Sequence, residues 1–282
     1  MKGMIKNIII IAAVMTSLFS CSHFPFDELH DTNHPNGAVV TLKADWSGYD
    51  GVIPEVLNTE IANNLFTFSS TSEAVFNQIL PEARYTIPVY NTADNISVTG
   101  TTANAVNPTG VGMFFTSVKD VLLEKDKNYN LIFPMAQKVR TLTLEIRFKG
   151  NLADNVASIS ATLSGVASAL NFSTDEHAGA FNVELPFVEG EEDTWSVTLN
   201  LLGMTGNQQI LSGNIVFDNN IVSDVPLNSD LSEYLKDFNT DKDTPLVLSS
   251  EIEVLDEDAI DVGFVFEIDE WVLGGSGNGK AQ

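Results

Sequence analysis

The chain has 282 residues, of which 44% are hydrophobic and 18% charged, so it can build packed cores and is not a disordered polypeptide. It carries 14 Lys and Arg against 38 Asp and Glu, a formal net charge of −24. A nucleic-acid groove and a basic grip on an acidic membrane both need clustered cations, so these two classes are excluded. The single Cys excludes an internal disulfide and a zinc site built from several Cys.

Residues 1–20 have the pattern of a signal peptide. Two lysines precede an apolar run over residues 8–19, which is shorter than the roughly 20 residues that a membrane-spanning helix needs. The run ends in Leu18-Phe19-Ser20-Cys21, which resembles the lipobox of bacterial lipoproteins. The resemblance implies cleavage between Ser20 and Cys21 and lipid attachment at Cys21. The alternatives are a plain secretory signal and an ordinary buried thiol.

Residues 21–37 are rich in Pro, Asn, Gly and acidic side chains, a composition that predicts a tether. His30 and His34 lie four residues apart in it, but Pro25 and Pro35 bracket the stretch and disfavour the helix that a metal site would need. Near the other end of the chain, the acidic loop at 256–261 could offer oxygens to calcium, but it lacks EF-hand spacing. We interpret it as a solvated loop and expect no metal site.

An alternation of apolar and polar residues dominates the remaining sequence and predicts an all-β chain. Short alternating or β-rich runs, separated by Asn, Gly, Asp and Pro clusters, lie at 40–46, 65–68, 85–90, 131–133, 141–148 and 262–268. Such runs are typical of antiparallel β-sandwiches. Helix signals are few: a capping-box pattern at Asp230 predicts one short helix at about 231–238, and a second helical turn is expected after Ser72.

A seam at Pro134 and residues 136–138 divides the predicted body into two units. We expect an N-terminal sandwich over residues 38–137 and a C-terminal sandwich over residues 138–273, followed by a flexible tail at 274–282. The charge distribution supports the division, because residues 1–140 hold 9 basic and 13 acidic side chains whereas residues 141–282 hold 5 and 25.

No catalytic motif stands out in the sequence. H-E-x-x-H and G-x-S-x-G are both absent, and three of the four His lie in the tether. The fourth, His177, falls in a polar loop, where we expect it to be solvated. Carboxylates are so abundant that no acid–base pair can be singled out. We therefore expect a protein that is not an enzyme and has no cofactor, with a glycan hydrolase as the alternative.

Five segments carry a resemblance to a known family. They are the strand ending in Asp45-Trp46-Ser47, and the segments 81–91, 135–140, 161–167 and 238–241. Behind a lipobox and a short tether, their order and spacing resemble the fimbrillin superfamily of Bacteroidales, in particular the lipoprotein anchor and accessory subunits of its fimbriae. The similarity extends over residues 21–272.

The resemblance implies two transthyretin-like β-sandwiches in tandem, carried to the outer membrane by a lipid and exposed at the cell surface. It further implies a role in cell adhesion and contacts with other fimbrial subunits by β-strand addition. Shaft subunits of that superfamily lose their first strand to an Arg- or Lys-specific protease. Between Cys21 and Arg84 there is no Arg and only one Lys, Lys43, inside the first strand, so Lys43 is the one candidate processing site. This pattern favours an anchor over a processed shaft subunit.

A further alternative is a surface lipoprotein that works alone and binds a glycan or a host protein. Such a binding site would need exposed aromatic side chains, for which Tyr49, Trp195 and Trp271 are the candidates. Trp46 falls on the apolar face of its strand and is expected in the core.

Overall fold

The computed structural model describes residues 37–149, 155–191, 193–218, 224–254, 266–268 and 272–273. The predicted signal peptide, with Ser20 and Cys21, lies outside the described residues, as do residues 22–36 of the tether. The acidic loop at 256–261 and the tail at 274–282 lie outside them as well.

The described residues before 138 form ten strands. They are β1 (Val39–Asp45), β2 (Val56–Ile61), β3 (Asn64–Ser69), β4 (Ala74–Val75), β5 (Ala83–Tyr90), β6 (Ile96–Thr99), β7 (Thr102–Ala105), β8 (Phe115–Leu123), β9 (Asn128–Pro134) and β10 (Ala136–Gln137).

The described part of the chain after residue 138 contains twelve strands and one helix. They are β11 (Arg140–Lys149), β12 (Val156–Val166), β13 (Ala169–Asn171), β14 (Glu176–Ala178), β15 (Phe181–Pro186), β16 (Val188–Glu189), β17 (Thr194–Leu201), β18 (Ile210–Phe217), β19 (Val225–Asp230), α1 (Ser232–Leu235), β20 (Leu246–Val254), β21 (Phe266–Ile268) and β22 (Val272–Leu273).

The strands form where apolar and polar residues alternate, because successive side chains of a strand point to opposite faces. In β11, Leu142, Leu144 and Ile146 are buried while the residues between them are at least partly exposed. In β1, Leu42 is buried and Lys43 is exposed. The strands predicted at 40–46, 65–68, 85–90, 131–133 and 141–148 are thus confirmed. Of the strand predicted at 262–268, only Phe266–Ile268 is described, and it is a strand.

Two pairs of sheets enclose the two larger cores. The first core lies between the sheet β4-β1-β9 and the sheet β10-β8-β5-β2-β3, and all its buried residues fall between Ala38 and Met135. The second core lies between the sheet β16-β17-β11-β20-β21, in which β22 also pairs with β20, and the sheet β15-β12-β18-β19. The predicted all-β sandwich fold is confirmed.

Two strand pairs are parallel, which the sequence did not lead us to expect. β1 runs parallel to β9, and β11 runs parallel to β20, while the other described pairs are antiparallel. Parallel neighbours cannot be joined by a tight hairpin and need a long connection. In each case most of a sandwich separates the two strands along the chain.

The helical predictions need two corrections. The helix α1 spans only Ser232–Leu235 instead of 231–238, and its N-cap is Leu231, with no side-chain cap. The carboxylate of Asp230 instead accepts a hydrogen bond from the backbone N–H of Ser232, at 2.9 Å. After Ser72 the chain forms the short strand β4 and not a helical turn, because β4 pairs with β1 at the edge of its sheet.

A third, smaller core connects the chain before and after the predicted seam. Strands β7 and β13 pair in the four-stranded sheet β14-β13-β7-β6. Its buried residues come from both sides of residue 138: Ala103, Val111, Phe114, Val139, Leu170, Phe172 and Leu202. The domain boundary between residues 137 and 138 stays a prediction, and the two larger sandwiches share this small sheet.

Candidate functional site

The edges of the sheets are the parts of this fold that can pair with a strand of another chain. An edge strand presents unpaired backbone N–H and C=O groups, which a strand of another protein can bind. Among the described residues, four edge strands have six residues or more: β3, β9, β15 and β19.

Three of these four edges carry a proline that faces outward. Met135 N–H bonds to the carbonyl of Asp45, so the neighbouring Pro134 of β9 points away from β1. On β15, Glu184 N–H bonds outward to the carbonyl of Pro108, and Pro186 has the same orientation. Pro226 of β19 lies opposite Asn214 and also faces away from its partner strand. Because proline has no N–H, each of these edges is a poor template for a further strand.

The strand β3 lacks such protection. It contains neither a proline nor a charged residue. Ala62 and Asn63, with φ values of 52° and 64°, form the two-residue turn that joins it to β2. Ser70 N–H bonds to the carbonyl of Glu55, and this register points the backbone groups of Leu65, Thr67 and Ser69 away from β2. In the described part of the chain, no strand pairs with β3 on that side.

The side chains of β3 hold this free edge in place. Phe66 packs against Phe68 at a centroid distance of 6.1 Å and against Phe76 at 5.4 Å, on the side that faces the core. Leu65 points to the other face and is 66% exposed. The edge is therefore a preformed, uncharged strand with one exposed apolar side chain.

The candidate processing site Lys43 lies within β1, which pairs with β9 along its whole length. Its Nζ lies 3.1 Å from Glu73 Oε1, on the exposed face of the sheet. A protease could reach the bond after Lys43 only if β1 left this sheet, because its backbone is hydrogen-bonded to β9. Cleavage at Lys43 stays a prediction.

The aromatic candidates have different positions. Trp195 is only 7% exposed and belongs to the second core, so it cannot form an exposed platform for a ligand. Trp271 lies outside the described residues. Trp46 packs against the first core, as expected, but is only partly buried, and its Nε1 donates a hydrogen bond to the carbonyl of Ser70 at 3.0 Å. Tyr49 is partly buried and lines a pocket.

His177 is less exposed than expected for a residue of a solvated polar loop. It lies in β14, opposite Leu170 of β13, and is partly buried. Its Nε2 lies 3.1 Å from the carbonyl oxygen of Leu202. Burial, assisted by the charge of Lys242, lowers the pKa of His177 below its ordinary value. The strand pairing that buries it is a tertiary contact and left no signal in the local sequence.

The pocket that Tyr49 lines has a volume of about 330 Å³ and was not foreseen from the sequence. Lys138 and Lys242 lie in it, with side chains that are only 12% and 14% exposed. The Nζ atoms of both lie near the same carboxylate oxygen, Asp175 Oδ1, at 2.7 and 3.5 Å. We call it the junction pocket, because residues from before and after the predicted seam line it.

In the junction pocket, burial and neighbouring charges have opposite effects on the pKa values of Asp175 and Lys242. Partial burial opposes the ionisation of Asp175, but the hydrogen bonds and charges of Lys138 and Lys242 outweigh it and lower the pKa of Asp175. For Lys242, burial dominates and lowers the pKa, while the attraction to Asp175 offsets part of this effect.

The described residues contain no group of three or more His, Cys, Asp or Glu side chains placed to hold a metal ion. They also contain no helix of sufficient length and hydrophobicity to span a membrane.

Comparison with known proteins gives similarity at the level of structure. No protein-family model and no curated protein matches the sequence. A candidate adhesin from Bacteroides ovatus is 15% identical, with a TM-score of 0.57, over 80% of this chain and 92% of that one. A candidate adhesin from Bacteroides thetaiotaomicron is 9% identical, with a TM-score of 0.52, over 85% and 97%.

A third similar structure is the fimbrial anchor protein Mfa2 from Porphyromonas gingivalis. It is 11% identical, with a TM-score of 0.51, over 84% of this chain and 98% of that one. At these identities the likeness establishes the fold. The chain thus has the β-sandwich fold of adhesin-like and fimbrial proteins of Bacteroidales, consistent with the fimbrillin resemblance of its sequence.

Proposed function

We propose that the chain is a non-enzymatic subunit of surface fimbriae, held to the outer membrane by a lipid on Cys21 and joined to a neighbouring subunit at β3. An adhesion or fimbrial role is supported by the fold that it shares with adhesin-like proteins and a fimbrial anchor. The observation that carries the contact is the β3 edge, which lacks proline and charge whereas the other long edges each carry an outward-facing proline.

Strand addition suits β3 for physical reasons. An added strand would bond to the backbone groups of Leu65, Thr67 and Ser69, and each such hydrogen bond contributes about 0.5–1.5 kcal/mol net. The strand is already fixed by its aromatic side chains, so little ordering entropy is lost on this side of the contact. Glu60 lies on the adjacent strand β2, and Glu55 directly precedes that strand. The partner segment is therefore extended, uncharged or basic, with an apolar side chain that covers Leu65.

We expect Thr67→Pro to abolish the contact with the neighbouring subunit while the protein remains folded. The Thr67 N–H faces away from β2, so proline removes a donor that is not used in the β2–β3 pairing and blocks the free edge. The measurement is the recovery of the variant in purified fibres, together with its melting temperature.

The matched control for this experiment is Thr67→Val. It removes the same hydroxyl, which donates to Asn58 Oδ1 at 3.0 Å, but keeps the backbone N–H. Fibre incorporation should survive in the control. Equal incorporation of Thr67→Pro and the wild type would refute the role of β3 without affecting the lipid anchor.

Cys21→Ala should move the protein from the membrane fraction to the soluble fraction. Each buried lipid methylene contributes about 0.8 kcal/mol, and stable anchoring needs more than one acyl chain, so loss of the attachment site removes the anchor. The measurement is fractionation of cells that express the variant. Unchanged membrane retention would refute the lipid claim, and a cell-associated form that begins at Ala44 would identify a processed shaft subunit instead.

The second candidate function is a surface lipoprotein that works alone and binds a glycan or a host protein. The junction pocket is the observation that favours it, because it joins Tyr49 to two nearly buried lysines.

A further inference from the structure

Four segments that are distant in the sequence form the junction pocket. They are the turn at Gly48 and Tyr49 after β1, the segment Met135–Lys138, the turn that contains Asp175, and the loop at 239–243 that follows α1. Its volume of about 330 Å³ lies at the lower end of the range for small-molecule sites. It therefore has room for one small ligand.

The loop that carries Lys242 is fixed by side chains of the adjoining segment. The Gln137 Nε2 donates a hydrogen bond to the carbonyl oxygen of Lys242 at 2.8 Å. Arg140 Nε donates a second hydrogen bond to this loop, to the carbonyl oxygen of Thr244, at 2.7 Å. Lys242 is thus held in position before any ligand arrives, which lowers the entropic cost of binding.

The two lysines have more hydrogen-bonding capacity than the pocket satisfies. An ammonium group has three N–H donors and no acceptor. Lys138 and Lys242 both donate to one oxygen of Asp175, and no second side-chain acceptor for either ammonium is found among the described residues. The remaining N–H donors of these two ammonium groups therefore need water or a ligand.

The charges near the two lysines favour an anion. The trio of Lys138, Lys242 and Asp175 has a net charge of +1 within a chain whose formal net charge is −24. Asp243 also lines the pocket and brings the sum of its charged side chains to zero. Both aspartates are exposed, Asp175 at 59%, so solvent and salt screen their charges more than those of the two nearly buried lysines. A carboxylate placed beside the two ammonium groups would form charge-assisted hydrogen bonds, which are about twice as strong as neutral ones.

We propose that the junction pocket binds a single carboxylated sugar, with its carboxylate between Lys138 and Lys242 and its ring beside Tyr49. The aromatic ring, together with the hydroxyl oxygen of Thr240 and the side-chain oxygen of Gln137 as acceptors in the wall, suits a ring with several hydroxyl donors. The acidic charge of the whole chain repels a polyanion, so the ligand is a terminal acidic sugar rather than a polyuronate chain. This site is separate from β3 and does not depend on the fimbrial contact.

The test is titration of the purified full-length protein with glucuronate, followed by ligand-observed NMR and calorimetry. Glucose, which lacks the carboxylate, and acetate, which lacks the sugar ring, are the comparison probes. We expect glucuronate to bind at least tenfold more tightly than either, with an affinity that falls as the salt concentration rises. Glucose binding as tightly as glucuronate would overturn the role of the lysines, and acetate binding as tightly would overturn the role of the sugar ring.

Two variants and a control make the test specific. Lys242→Met and Lys138→Met keep the length of the buried stem but remove the charge, and each should weaken glucuronate binding at least tenfold. The control is Lys236→Met, because Lys236 is 62% exposed and pairs with Glu233 away from the pocket. Melting temperatures show whether each variant is folded. Wild-type affinity in either folded pocket variant would overturn the proposal, whatever the outcome of the fibre experiments.

Discussion

Leu144→Asp is expected to unfold the second core. Leu144 is 0% exposed and lies in β11, which is paired on one side with β17 and on the other with β20. An aspartate there would bury an unpaired carboxylate, at a cost of several kcal/mol, in a protein class whose total stability is about 5–15 kcal/mol. The measurement is thermal unfolding followed by circular dichroism, together with near-ultraviolet spectra that report the packing of Trp195.

Val188→Asp is the matched control, because Val188 lies in the same sheet, on the edge strand β16, and is 61% exposed. It should leave the melting temperature nearly unchanged. If Leu144→Asp melted like the wild type, the assignment of the inner face of β11 would be wrong.

Arg140→Met is expected to destabilise the protein by about 2–4 kcal/mol, because hydrogen bonds from a charged donor contribute roughly 1.5–3 kcal/mol each. The guanidinium of Arg140 is nearly buried and donates to the carbonyl oxygens of Thr244, Asp237 and Phe238 at 2.7, 3.3 and 3.3 Å. It also lies over the Phe238 ring, 5.3 Å from the centroid. Methionine would keep part of the packing but remove these three hydrogen bonds, although the carbonyl of Asp237 would keep those that it accepts from Thr240. Urea unfolding monitored by circular dichroism measures the effect.

Arg84→Met provides the comparison, since Arg84 is an exposed residue of β5 and should tolerate the change. Arg140→Lys should fall between the two, because lysine keeps the charge but cannot donate from the same fork of nitrogens. A free energy of unfolding for Arg140→Met within experimental error of the wild type would contradict the role assigned to this arginine.

The strands could be predicted because their signal is local. Leu142, Leu144 and Ile146 alternate with polar residues, and that alternation alone defines a strand with one buried face. The same signal was present for Trp195, which alternates with Thr194 and Ser196, and it would have identified this tryptophan as a core residue.

Pairings between distant strands could not be predicted in this way. The parallel pairs and the contact of β7 with β13 join segments far apart in the chain, and nothing in either segment specifies its partner. The helix at 231–238 was predicted too long, since a capping pattern marks a start but packing decides the length. Here Leu235 and Phe238 are both buried although only Leu235 is helical.

The candidate sites also differ in whether their signal is local in the sequence or arises only from the fold. The lipobox is a contiguous pattern, so Cys21 could be named from the sequence, although its lipid stays a prediction. The free edge at β3 could not, because an edge is a property of sheet order and the run at 65–68 looks like any buried strand. Lys138 and Lys242 meet only through the fold, and their proximity had no sequence signal.

The small sheet shared by the two sandwiches has a mechanical consequence. The chain crosses between them covalently near Lys138, and a second link is made where Ala169, Leu170 and Asn171 pair with β7. Two separate links resist bending and twisting far better than one peptide crossing. A force applied across the two sandwiches would therefore be shared between the peptide crossing and the pairing of β7 with β13.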